Sequence, residues 1–192
     1  MSNLSLDPNT TALVAIDLQK GITGGQTVPH SPADVVANTV RIAERFRHAG
    51  ALVILVHVDV GRNGELFPKP ITDVQRPAVT PPADWAEIVP ELGPRDTDVI
   101  VTKHQPSAFF GTDLEVHLRR RGIENIVLAG ISTNVGVEAT AQTAFEYGFN
   151  VVFASDAMAA RDGELHTMSV TKYFPTIGRV RTTDEVIAAI GA

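Results

Sequence analysis

Three short stretches carry groups able to do chemistry: Asp17 at the end of ALVAID, Lys103 at the end of DVIVTK, and residues 130–136, GISTNVG. A carboxyl group can donate or accept a proton, and a lysine can hold an anion. A segment that opens a helix offers backbone N–H groups to an anion or a developing oxyanion. Each also has a plainer explanation. An Asp after a strand is commonly a turn residue, a lone Lys a solvated charge, and Gly136 a device for tight helix packing. What raises all three is their placement at the ends of different strands.

The elements that position them alternate along the chain. Residues 12–16, 51–58, 98–102, 125–129 and 150–154 are short, almost continuously apolar and rich in β-branched residues, the pattern of strands covered on both faces. A weaker sixth strand is expected at 178–181. Helical patterns lie between them. Ser31, Pro32 and Asp34 form a helix start, followed by Val36, Thr39, Val40, Ala43 and Phe46 at helical spacing, with Gly50 as the stop. Thr112 and Glu115 make a second capping-box pattern ending at Gly122. Val137, Thr140, Ala141, Ala144 and Phe145 form a third stripe closed by Gly148, and Thr182 with Glu185 opens a last short helix. The alternation predicts an α/β fold, a three-layer αβα sandwich around a Rossmann-like, mostly parallel sheet of about six strands, in a single domain over 1–192. Ligands in such sheets bind beyond the carboxyl ends of the strands, where Asp17, Lys103 and 130–136 fall. Residues 61–94 break the alternation. They hold seven of the twelve prolines and no clear period, and are read as an excursion over one end of the sheet, a lid or an oligomer contact.

Composition narrows the chemistry. With 44% hydrophobic and 20% charged residues the chain has a globular balance, and a net charge of −6 argues against a nucleic-acid surface. The absence of cysteine excludes disulfides, thiolate metal sites and a thiol nucleophile together. The start, MSNLSLDPNT, lacks a signal-peptide pattern, and the longest apolar stretch, near 51–56, is too short to span a membrane. A cytoplasmic location without membrane association is the expectation. Gly24-Gly25 matches neither a phosphate-binding loop nor a dinucleotide fingerprint, so no cofactor is expected. His57 and Asp59 stand at a strand end without a second histidine at ligand spacing, which favours a structural or substrate-facing role over a metal site. His104 either touches substrate or faces solvent. His117 and His166 are read as surface residues of helices. Ser132 lacks the setting of a serine nucleophile.

The blocks ALVAIDLQKG, VTKHQPSAFFGTDL and LAGISTNVGVEATAQTAFEYG, followed by DAMAARDGELHTMSV, resemble the isochorismatase-like hydrolase superfamily in order and spacing over nearly the whole chain. Most members are amidases that use an Asp, a Lys and an attacking Cys. The resemblance places Asp17 and Lys103 at the first two positions and Gly136 where the cysteine stands. It assigns Gln19, His104, Ser132, Thr133, Asn134 and Val135 to substrate contacts, and it implies a cis peptide at 131–132 and a homo-oligomer, dimer or tetramer. True isochorismatases similarly lack the thiol and cleave a vinyl ether, with the aspartate protonating the enol-ether side chain. The chain departs from them in 67–88 and in Ser132, which replaces a common tyrosine, while DLQKG and STN are closer to the amidase branch. Three readings stay open. They are a thiol-independent hydrolase of a small, anionic enol ether or related acid, an enzyme of another class using Asp17 as a base, and an inactive binder of a small metabolite. For the first, Asp17 must be protonated although Lys103 favours its carboxylate, a conflict that a dianionic substrate would ease.

Overall fold

The computed structural model describes residues 4–74 and 80–191. In chain order the elements are β1 (Thr11–Ile16), α1 (Lys20–Thr23), α2 (Pro32–His48), β2 (Leu52–Val58), β3 (Val99–Lys103), α3 (Leu114–Arg120), β4 (Asn125–Ile131), α4 (Glu138–Glu146), β5 (Asn150–Ala159), α5 (Gly163–Met168), α6 (Phe174–Ile177), β6 (Gly178–Arg181) and α7 (Thr183–Ala189). The six strands form one parallel sheet in the order β3-β2-β1-β4-β5-β6. All six residues of β1 are buried, as a central strand covered on both faces requires. Alternate β1 residues feed opposite cores. Leu13 and Ala15 pack with α2 and α7, whereas Ala12, Val14 and Ile16 pack with α3, α4 and α6. Among the described residues no helix is long and apolar enough to cross a membrane.

Two of the expected helix starts are made as read. Ser31 caps α2 and Thr182 caps α7, each in a reciprocal capping box with the acidic residue three positions on. The third is not. α3 starts one residue late, at Leu114, and in place of the reciprocal box with Glu115 the Thr112 hydroxyl accepts from Leu114 N–H at 3.2 Å while donating to Ala108 O at 2.5 Å. Phe145 also leaves the expected stripe. It is 51% exposed, and α4 buries Thr140, Ala141 and Ala144. β5 runs five residues beyond the expected Ala154, with a register shift against β4 between Leu128 and Gly130.

Strand order reverses between β1 and β4, so the crevice at their carboxyl ends is the topological switch point. Ile16 pairs with Val56 on one side and Gly130 on the other, which puts Asp17 at the floor of that crevice. Gly130 makes the closeness possible. Its φ is 128°, and a Cβ there would overlap Ile16 O and lie 2.8 Å from both Ile16 C and Ile16 N. Backbone atoms of a buried strand cannot yield. Gly130→Ala is therefore expected to cost more than about 3 kcal/mol of stability, read as a lowered urea midpoint. A midpoint equal to wild type would contradict the packing described.

Candidate active site

Asp17 leaves β1 with φ at 55°, the left-handed region that Asp enters more readily than most residues. Its N–H donates to Val56 O at 2.8 Å, and its carbonyl accepts from Gln19 N–H at 2.9 Å, so the turn is held from both sides. Lys103 is the last residue of β3, two strands away, and its side chain crosses inward. Its Nζ lies 2.9 Å from Asp17 Oδ2 and donates to Pro106 O at 2.8 Å. The two side chains are 8% and 2% exposed, Asp17 and Lys103 respectively. Asp17 Oδ1 is buried and has no hydrogen-bond partner among the described residues.

Two opposed effects act on this carboxyl. Burial disfavours its charged form, while the ion pair and hydrogen bond from Lys103, and more weakly His57, favour it. Burial prevails, and the pKa is pushed up from 3.8 to about 6. The group thus exchanges its proton near neutrality rather than in strong acid.

The segment from β4 to α4 closes over this pair. The Ile131–Ser132 peptide is cis, as the resemblance implies. Thr133–Val137 then forms a π-type turn continuous with α4, in which the N–H groups of Val135 and Val137 both donate to Ser132 O at 3.2 Å. These two N–H groups face their own turn, where the sequence reading expects free donors. Gly136 is buried against the pair. A Cβ at this position would lie 2.9 Å from Ile16 Cγ2, 3.0 Å from Asp17 Oδ2 and 3.3 Å from Lys103 Nζ. The glycine carbonyl is fixed as well. Thr140 Oγ1 donates to it at 2.6 Å and accepts from Ala108 N–H at 3.0 Å, tying the turn to the loop whose Pro106 holds Lys103.

The other named residues divide. Thr133 is buried, Asn134 half-buried and Val135 45% exposed, so the turn presents different chemistry at each position. Gln19 is fully buried, and its amide is committed to protein groups: Nε2 donates to Val58 O at 2.9 Å and Trp85 O at 3.1 Å, and Oε1 accepts from Val58 N–H at 2.7 Å. It serves as a tie where a substrate contact is expected. His104 is half-buried with Nδ1 donating to Asp59 O at 2.6 Å. His57 Nδ1 donates to Ala86 O at 2.8 Å, and its Nε2 meets Thr102 Oγ1 at 2.8 Å. The inner part of the proline-rich excursion is consequently a fixed wall. Lys20, Gly21 and Gln19 bond to Glu87 and Trp85, and Val89 N–H bonds to Leu18 O. Residues 75–79 of the same excursion lie outside the described residues. Among the described residues no group of three His, Asp or Glu side chains is arranged to hold a metal ion.

His166 corrects the sequence reading outright. It is 5% exposed, and its Nδ1 shares a 2.8 Å hydrogen bond with the buried Thr133 hydroxyl. Helical periodicity does not distinguish a His turned toward a neighbouring loop from one turned toward water. Thr140 belongs to the apolar stripe that the sequence suggests, yet its hydroxyl is bonded on both sides, and a threonine four positions after Gly136 is spaced for a bond back to that carbonyl.

Comparison with known proteins identifies the family of the chain. Residues 11–185 match the isochorismatase domain. The chain is 45% identical over 188 residues to the isochorismatase family protein YecD of Escherichia coli O157:H7, covering 97% of this chain and all of that one. It superimposes on the structure of an isochorismatase family protein from Burkholderia thailandensis with a TM-score of 0.93, 47% identity and 98% of both chains covered. The ureidoacrylate amidohydrolase RutB of Variovorax paradoxus is a more distant relative, 28% identical over 208 residues, with 96% of this chain and 82% of that one covered. This chain belongs to the isochorismatase family, a family of hydrolases.

The packing at Gly136 has a measurable consequence. In Gly136→Ala the new methyl group must displace the Ile16 methyl or part Asp17 from Lys103. Overpacking of this kind typically costs about 1–3 kcal/mol, or roughly 2–12 °C in Tm for a chain of this size. A thermal scan showing no loss would contradict the geometry.

Proposed function

We propose that this chain hydrolyses a small anionic acid without a thiol, with Asp17 as general acid and Lys103 as its electrostatic partner, and that the bond broken is a vinyl ether of the isochorismate type. The observation that supports this best is the Asp17 carboxyl itself, buried beside Lys103, with burial raising its pKa to about 6 and Oδ1 without a partner among the described residues. An amide, the bond named for the ureidoacrylate amidohydrolase, calls for a strong nucleophile, and a chain without cysteine offers no thiol. Gly136 stands where the family resemblance puts that thiol.

A vinyl ether asks for less. Proton transfer from Asp17 to the terminal carbon of the enol ether leaves a cation stabilised by the ether oxygen. Water adds to the cationic carbon and returns a proton to the Asp17 carboxylate, and the hemiketal breaks its C–O bond as its hydroxyl proton passes to the ring oxygen, releasing pyruvate and the ring alcohol. Neither a metal nor a cofactor enters this sequence. Substrate carboxylates near Lys103 would compete with Asp17 for its Nζ and raise the aspartate's pKa further, favouring the acid form when the substrate is bound.

A second reading has its own support. The ion pair between Lys103 and Asp17 is direct and forms without a ligand. A family member that binds a small acid without turning it over would show the same contact.

The readings separate in one assay. With isochorismate as substrate and lactate dehydrogenase as coupling enzyme, the hydrolase reading expects pyruvate release. Asp17→Asn should lower kcat/KM by at least about 100-fold while circular dichroism stays unchanged. Because the protonated acid is the active form, wild-type kcat/KM should be level below about pH 6 and fall above it. Equal turnover by Asp17→Asn would overturn the assignment of the acid, and binding without pyruvate release would favour the second reading.

A further inference from the structure

The turn that covers Asp17 is fastened from a part of the chain that the proposed chemistry does not use. Thr133 and His166, which share the 2.8 Å hydrogen bond, are 0% and 5% exposed. Three residues after His166, Ser169 Oγ donates to Glu138 Oε2 at 2.5 Å, so the segment from α5 onward holds both the π-type turn and the start of α4. The ring of His30 stands edge-on to that of His166 with centroids 6.3 Å apart. Burial, with a smaller contribution from His30, keeps His166 below the usual histidine range, so a neutral imidazole faces Thr133 near pH 7. A neutral ring nitrogen and a hydroxyl can satisfy each other in either direction, a specific and undemanding lock.

We propose that His166 is a positioning residue for the active site: through Thr133 it sets the turn that presses Gly136 against Asp17 and Lys103. The route is short. Thr133 opens the turn, Gly136 lies three residues on, and a Cβ there would touch Asp17 Oδ2 and Lys103 Nζ. If the turn loosens, water gains access to a carboxyl whose proton affinity depends on being dry. His166 would thus act on Asp17 without touching substrate. The proposal rests on the reading of Asp17 as the working acid, but its test needs no substrate.

The readout is the titration of the Asp17 carboxyl carbon, followed by NMR in the full-length protein labelled with carboxyl-13C aspartate and assigned with Asp17→Asn. In wild type the midpoint is expected at about 6. His166→Ala and Thr133→Val should each lower it by about one unit as water screens the group. The double variant should fall no further than either single one, because both remove the same bond. His166→Asn, whose amide can meet the Thr133 hydroxyl, should restore most of the shift. Thr133→Val keeps the side-chain volume, so it reports even where His166→Ala folds poorly. A wild-type midpoint near 3.8 would sink the reading of Asp17 and this proposal with it. A wild-type midpoint near 6 that Thr133→Val leaves in place would sink the positioning role alone.

Discussion

Everything at this site depends on a carboxyl group that is buried more completely than its one cationic partner compensates. A carboxylate moved out of water loses solvation that a single ion pair only partly restores. The Lys103 contact at 2.9 Å lowers the pKa of Asp17, and burial raises it by more. The outcome is an acid that can still hold its proton near neutrality while standing beside a lysine. A surface pair of the same residues would leave the aspartate an ordinary carboxylate.

The surrounding structure maintains that imbalance. The switch point between β1 and β4 supplies the crevice, and Gly130 lets the two strands close on each other beside Ile16. Gln19 joins the end of β1 to β2 and to the wall at Trp85, with no free amide group left over. From the other side Thr140 secures the Gly136 carbonyl and the loop that carries Pro106. None of these residues supplies a reacting atom. Together they hold the turns and strand ends around the buried carboxyl.

How much of this could be read from the sequence follows from which interactions are local. β-branched runs separated by capped helical stripes identify the parallel α/β sheet, and strand ends then bring Asp17, Lys103 and the Gly136 segment together without any coordinates. Those inferences need only periodicity and the rule for strand termini. Thr112 meets the start of α3 through Leu114 N–H and the Ala108 carbonyl instead of a box with Glu115, a choice that spacing alone does not decide. Helical spacing alone puts His166 on the surface, because nothing local signals a partner 33 residues away. Gln19 was expected to face substrate, yet its amide is taken by backbone groups of segments 39 and 66 residues distant. The balance between burial and ion pairing at Asp17 was equally out of reach. The pull of Lys103 on Asp17 is legible in the sequence, where only a substrate is in view to offset it, whereas burial in the fold outweighs it without one.

The most direct test of that balance is infrared difference spectroscopy of the substrate-free protein against Asp17→Asn. The expected result is the carbonyl stretch of a protonated, poorly hydrated carboxylic acid, present in wild type, missing in the variant and fading with a midpoint near pH 6. Absence of that band at every pH down to about 4, the ordinary range of an aspartate, would contradict the account.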